Sequence, residues 1–161
     1  MKSLCAVAVL SLLFVGVVHG QDEDPFDGTW KLNVEKSKVA RPVRSAMMKL
    51  RIALDPDGFP LSMEKMDLER VYADGARETR HYAARYSGND FGIFDGVGGA
   101  SVGEEAKLKV IDANTREFAR LRNRKPLSIS RRVLSADRKT LTVTTTSPDG
   151  TIQDVEIWER Q

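Results

Sequence analysis

From Asp27 onward the chain consists almost entirely of short β-type runs separated by turn clusters, and this rhythm limits its possible folds more than any other feature. Three runs alternate cleanly. In 45–54, Ala46, Met48, Leu50, Ile52 and Leu54 share one face while Met47, Lys49 and Arg51 take the other. In 140–146, Leu141 and Val143 alternate with threonines, and in 29–34 Trp30, Leu32 and Val34 alternate with Thr29, Lys31 and Asn33. Successive side chains of an extended backbone point to opposite sides, so each run reads as a half-buried strand. The β-branched threonines suit a pleated, half-wet surface. Further strands are expected at 60–71, 77–87, 90–94, 105–111, 115–122, 127–134 and 151–160. Only Leu61–Tyr72 is ambiguous: it is rich in helix formers, with Leu61, Lys65, Leu68 and Tyr72 about one turn apart. It is assigned as a strand.

The connections carry the chemistry of tight turns. Asp55-Pro-Asp-Gly58, Ala73-Asp-Gly75, Ser87-Gly-Asn-Asp90, Asp112-Ala-Asn114, Asn123-Arg-Lys-Pro126, Ala136-Asp-Arg-Lys139 and Ser147-Pro-Asp-Gly150 all fit hairpins. No segment is long enough for a crossover helix, so neighbouring strands run antiparallel. A long meander with bare edges would aggregate, and closure removes the edges. The expected fold is all-β, an antiparallel meander closed into a barrel of about 8–10 strands.

Residues 1–20 stand apart from this pattern. Met1-Lys2-Ser3 is a short basic start, Leu4–Val18 is almost uninterruptedly apolar, and Val18-His19-Gly20 offers a cleavage site. The run falls short of the ~20 apolar residues of a membrane-spanning helix. It reads as a signal peptide (1–20), leaving a single domain (21–161) in the periplasm or secreted. Cys5, the one cysteine, lies inside the leader, so the remaining chain has no disulfide. Its length allows a hydrophobic core to hold it unaided.

Charge and residue inventory argue against most chemistries. The chain carries a net +2. Residues 116–139 nonetheless hold nine bases against Glu117 and Asp137, a basic stretch that reads as solvated hairpins paired with the acidic remainder. His81 is the single histidine outside the leader. Gly99-Ala-Ser101-Val-Gly103 has the form of a nucleophile elbow, but that motif needs a strand-turn-helix setting with its histidine downstream. Gly96-Val-Gly-Gly99 is followed by no Gly-Lys-Ser/Thr, and Asp22-Glu-Asp24 with Asp27 lacks the spacing of a calcium loop. No catalytic residues, metal or cofactor are expected, and no nucleic-acid partner.

Several stretches resemble a known group. Asp27-Gly-Thr-Trp-Lys-Leu-Asn-Val-Glu-Lys-Ser-Lys38, Tyr82-Ala-Ala-Arg-Tyr-Ser-Gly-Asn-Asp90, Ile111-Asp-Ala-Asn-Thr115, Ser130–Thr146 and Trp158-Glu-Arg-Gln161 resemble uncharacterised exported bacterial proteins with a lipocalin-like barrel. The resemblance covers roughly half of the chain after the leader, as these stretches run. In lipocalins the tryptophan of Gly-x-Trp closes one barrel end against a basic side chain of the last strand. The resemblance implies structural roles of this kind for Gly28, Trp30 and Arg160.

Binding is the natural role for such a barrel. Met48, Leu50 and Ile52 on 45–54, with Phe118, are candidate lining residues for a small apolar or anionic amphipathic ligand such as a fatty acid. Leu127, Ile129 and Val133 share a face with Arg131. An arginine on an apolar face either anchors an anionic head group or pairs and snorkels outward. The alternative role is a solid-cored barrel, monomeric like the first, that binds a protein or envelope polymer through its arginine-rich outer surface. A cavity above ~300 Å³ speaks for the first and a filled interior for the second.

Overall fold

A computed structural model describes residues 24–53, 62–94 and 99–161. The proposed leader, Cys5, Asp22, Glu23, the Asp55–Gly58 turn and Gly96–Gly98 lie outside these residues. Ten strands follow one another: β1 (Gly28–Leu32), β2 (Val43–Ala53), β3 (Met63–Tyr72), β4 (Arg77–Arg85), β5 (Phe91–Phe94), β6 (Ser101–Asp112), β7 (Thr115–Arg122), β8 (Lys125–Leu134), β9 (Thr140–Thr146) and β10 (Ile152–Arg160). No helix occurs among the described residues. Every strand pairs antiparallel with its sequence neighbours, and β1 also pairs with β10, closing the barrel.

Each expected strand lies within a few residues of an observed one. Of the ambiguous 61–72 segment, Leu61 lies outside the described residues and Met63–Tyr72 is strand β3, paired with both β2 and β4. Its even-numbered residues Glu64, Met66, Leu68 and Arg70 turn inward and Lys65, Asp67 and Glu69 turn outward. A two-residue period with a partner on each side outweighs helix propensity. The β7–β8 turn is tight: Arg122 faces Lys125 across the ladder, and Asn123 (φ 51°) and Arg124 (φ 61°) both adopt left-handed backbone. Two positive φ values are the mark of a type I′ hairpin, whose twist matches that of its strands.

The wall is weakest between β4 and β5, where the ladder registers one residue pair, His81↔Phe94. On its outer side these two rings stack with centroids 5.5 Å apart. Few ladder bonds protect β5, so its amides should exchange with solvent at least about tenfold faster than those of β2 and β3. Hydrogen exchange read by NMR checks this.

The core lines the barrel interior along its length. Trp30, Leu32, Ala46, Met48, Leu50, Met66, Tyr82, Ala84, Ile93, Ala106, Leu108, Leu141, Val143 and Trp158 are all buried. Val34, grouped with Trp30 and Leu32 by alternation, lies beyond the end of β1 and is exposed. The β1–β2 connection is stitched to β10 by a bridge between Lys38 and Val155, and Ala40 N donates to Asp154 Oδ1 at 2.7 Å.

Candidate functional site

The barrel interior is layered along its axis. One end, where β1 begins and β10 finishes, is stoppered. Trp30 and Phe26 are wholly buried there, and the indole Nε1 donates to Phe26 O at 3.2 Å. The Arg160 guanidinium lies over the Trp30 ring, 4.2 Å from its centroid. It also donates to the carbonyls of Asp27, Pro25 (2.5 Å) and Arg138 (2.7 Å). Arg160 and Trp30 are direct cross-strand partners in the β1–β10 ladder.

Gly28 belongs to the same arrangement. Its φ of 151° suits glycine, and a Cβ there would sit 2.5 Å from Arg160 Nη1. That guanidinium is held by three carbonyls and cannot yield cheaply. Gly28→Ala should therefore cost about 1–3 kcal/mol. A urea-denaturation midpoint measures it.

Above the stopper is a buried charged layer. Glu64, with no exposed surface, accepts hydrogen bonds from Tyr82 Oη, Tyr86 Oη and Arg132 Nη1 (2.6 Å). Arg132 Nη2 donates to Tyr82 Oη at 3.1 Å. Arg116 donates to Tyr86 Oη at 2.9 Å and to Asp24. Phe118 stacks on Tyr82 with centroids 5.3 Å apart and lies beneath Arg132. Burial alone would raise the Glu64 carboxyl, but Arg132 and the donated hydrogen bonds hold it below its ordinary value. Burial pushes the Tyr82 and Tyr86 phenols up, and Glu64 adds to the effect. The layer is thus an ionised floor built on the Glu64–Arg132 pair, with Arg116 Nε buried beside it without a hydrogen bond among the described residues.

On this floor rests a cavity of about 170 Å³, toward the other end of the barrel. One wall is apolar, with Met48, Met66, Ile93, Phe118, Val143 and Trp158. The other is charged. Arg70 donates to Glu156 Oε1 at 2.5 Å, Tyr72 Oη donates to Glu78 Oε2 at 2.5 Å, and Arg80 pairs with Glu78. Glu156 also accepts from Trp158 Nε1 at 3.2 Å, and burial pushes its carboxyl up against the pull of Arg70.

Of the candidate lining residues, Met48 and Phe118 face the cavity. Leu50 and Ile52 share the inward face of β2 but sit lower, toward the stoppered end, where Leu50 is wholly buried. Arg131 lies elsewhere. Its side chain is 60% exposed, 3.7 Å from Glu117, and points away from the interior. The inward residues of β8 are Ser128, Ser130, Arg132 and Leu134, so the apolar face formed by Leu127, Ile129 and Val133 is the outer one. The reason is chemical: the floor needs a cation opposite Glu64, and hydroxyls line the wall above it.

Arg132, Glu64, Arg70 and Arg120 escaped sequence reasoning, which equated apolar with inward. The usable signal was Glu64 in phase with Met66 and Leu68 on β3, a carboxylate that needs a buried cation across the barrel. The basic 116–139 stretch is also divided, because Arg116 and Arg132 are buried and Arg120 lines the cavity. The outer surface is correspondingly less basic than that stretch implied.

The cavity falls below the ~300 Å³ of an ordinary ligand pocket. It is close to the ~150 Å³ that admits benzene in a protein interior. At this volume the cavity accommodates a compact molecule more readily than a long acyl chain. Ser101 opens β6, in a strand rather than a strand-turn-helix, and accepts a hydrogen bond from Gly103 N at 3.2 Å. No group of three or more histidine, cysteine or carboxylate side chains is placed to hold a metal among the described residues. Among known proteins, the chain matches no family model and no curated protein.

Proposed function

We propose that this protein is an exported, lipocalin-like binding protein that holds a compact amphipathic molecule, non-covalently, inside its barrel. The observation that carries this reading is the two-sided cavity: Met66, Phe118 and Trp158 against Arg70, Arg120 and Glu156. Such a lining rewards a ligand with one apolar and one polar side. The closed end and the engaged Glu64–Arg132 floor support a site of fixed depth, so ligand size is set by the space above them. Export rests on the leader-like residues 1–20.

Of the two tryptophans, Trp158 lines the cavity and Trp30 belongs to the stopper. Their indole N–H signals separate the two environments. Titration with benzyl alcohol should shift the Trp158 signal saturably and leave that of Trp30 in place. Palmitate should move neither. A Trp158 signal indifferent to every ring-sized probe, or tighter binding of palmitate, overturns the proposal.

A further inference from the structure

The charges on the cavity wall are matched among themselves. Arg70 is bonded to Glu156 at 2.5 Å and Arg132 to Glu64 at 2.6 Å. Arg80 is paired with Glu78, and Arg120 lies 3.3 Å from Glu104, which Arg122 also approaches at 2.9 Å. Asp154, the remaining lining carboxylate, accepts from the Ala40 amide at 2.7 Å. The five arginines and five carboxylates named here balance in number. The Arg70 and Arg120 Nε atoms, which make no hydrogen bond among the described residues, are closed off by burial and offer the cavity nothing. A ligand ion would bring a charge for which this wall holds no spare counter-charge. It would have to shed its water unpaired or break an existing pair, and both are costly.

A neutral molecule escapes that cost and needs only a hydrogen-bond partner. The wall supplies one. Ser128 and Ser130 lie two residues apart on the inner face of β8, and both line the cavity together with Thr145. The Ser130 and Thr145 hydroxyls are bonded to each other at 2.8 Å. The Ser128 side chain makes no hydrogen bond among the described residues, yet its hydroxyl is not closed off as the two Nε atoms are. A serine hydroxyl both donates and accepts, and it rotates to suit its partner. We infer that the cavity selects an uncharged, compact alcohol, its hydroxyl on Ser128 and its apolar body against Met66, Phe118 and Trp158. This inference rests on the binding reading above and names its ligand class.

The test compares benzyl alcohol with an anion and a cation of similar size, benzoate and benzylamine, by calorimetry and by the Trp158 indole signal. Benzyl alcohol should bind the unaltered protein at least about tenfold tighter than either ion. Ser128→Ala should weaken benzyl alcohol about fivefold, the worth of one neutral hydrogen bond, and leave toluene, which has no hydroxyl, unchanged. Benzoate or benzylamine binding as tightly as benzyl alcohol overturns the uncharged assignment and leaves the cavity reading standing. Benzyl alcohol indifferent to Ser128→Ala, or toluene weakened equally, overturns the contact with Ser128. Failure of all four probes to reach Trp158 in folded protein overturns the inference and the cavity reading together. The comparison of alcohol with ions in unaltered protein decides the ligand class even where Ser128→Ala does not fold.

Discussion

Glu64→Ala should destabilise the barrel by about 3–5 kcal/mol, enough to unfold many domains of this size. The carboxylate is the common acceptor of Tyr82, Tyr86 and Arg132, and the Arg132 side chain is only 5% exposed. Removing it leaves a largely buried guanidinium with Tyr82 Oη as its remaining hydrogen-bond partner in the layer. The pair is nonetheless not inherently stabilising relative to a greasy substitute, since desolvating two charges offsets much of their attraction. Combining Glu64→Leu with Arg132→Met should therefore recover most of the loss, and adding Tyr82→Phe should recover more by removing the hydroxyl left behind. Urea-denaturation free energies give all three values. A loss under about 1 kcal/mol for Glu64→Ala would mean the layer is wetter than described.

The same residue sets a pH dependence. Glu64 is held below its ordinary value of 4.5 in the folded barrel, so the unfolded chain binds the extra proton first as pH falls. Its contribution is present above about pH 4.5 and is lost as the pH drops through the lower folded-state value. Glu156 runs the opposite way: its raised carboxyl favours folding at low pH and loses that advantage as pH rises. Glu64→Gln should accordingly flatten the acid limb of the stability profile.

Trp30→Ala should cost a further large amount, about 3–5 kcal/mol, because it empties the centre of the stoppered end. The ring is wholly buried, bonds Phe26 O and supports Arg160. Its loss frees the guanidinium that ties Pro25, Asp27 and Arg138 together, so the amides of Phe26 and Asp27 should lose hydrogen-exchange protection as well. Trp30→Phe should cost less and keep that protection. A Trp30→Ala protein as stable as the original would show that the closed end is held by Arg160 and the carbonyls alone.

Much of the architecture was legible because it depends on alternation and turns, both local. Strand β2 shows this well: Ala46, Met48, Leu50 and Ile52 are inward as their spacing predicts, since that strand packs apolar residues on apolar neighbours. Strand β8 shows the limit. Arg131 and Arg132 differ by one residue and hence by the whole thickness of the wall. Choosing between them required knowing that Glu64, 68 residues away, lies across the barrel. Nothing local to β8 carries that information. Trp30 and Arg160 were readable through resemblance, whereas the volume left above the floor depends on the summed packing of ten strands. That sum, and not any motif, decides the size of the cavity.

The most direct test of this account is a calorimetric titration series running from butanol through hexanol and benzyl alcohol to dodecanol. Affinity should peak at hexanol or benzyl alcohol and collapse for dodecanol, as a cavity of about 170 Å³ with a fixed floor requires. Affinity rising without limit as the chain lengthens, dodecanol binding tightest, would contradict it.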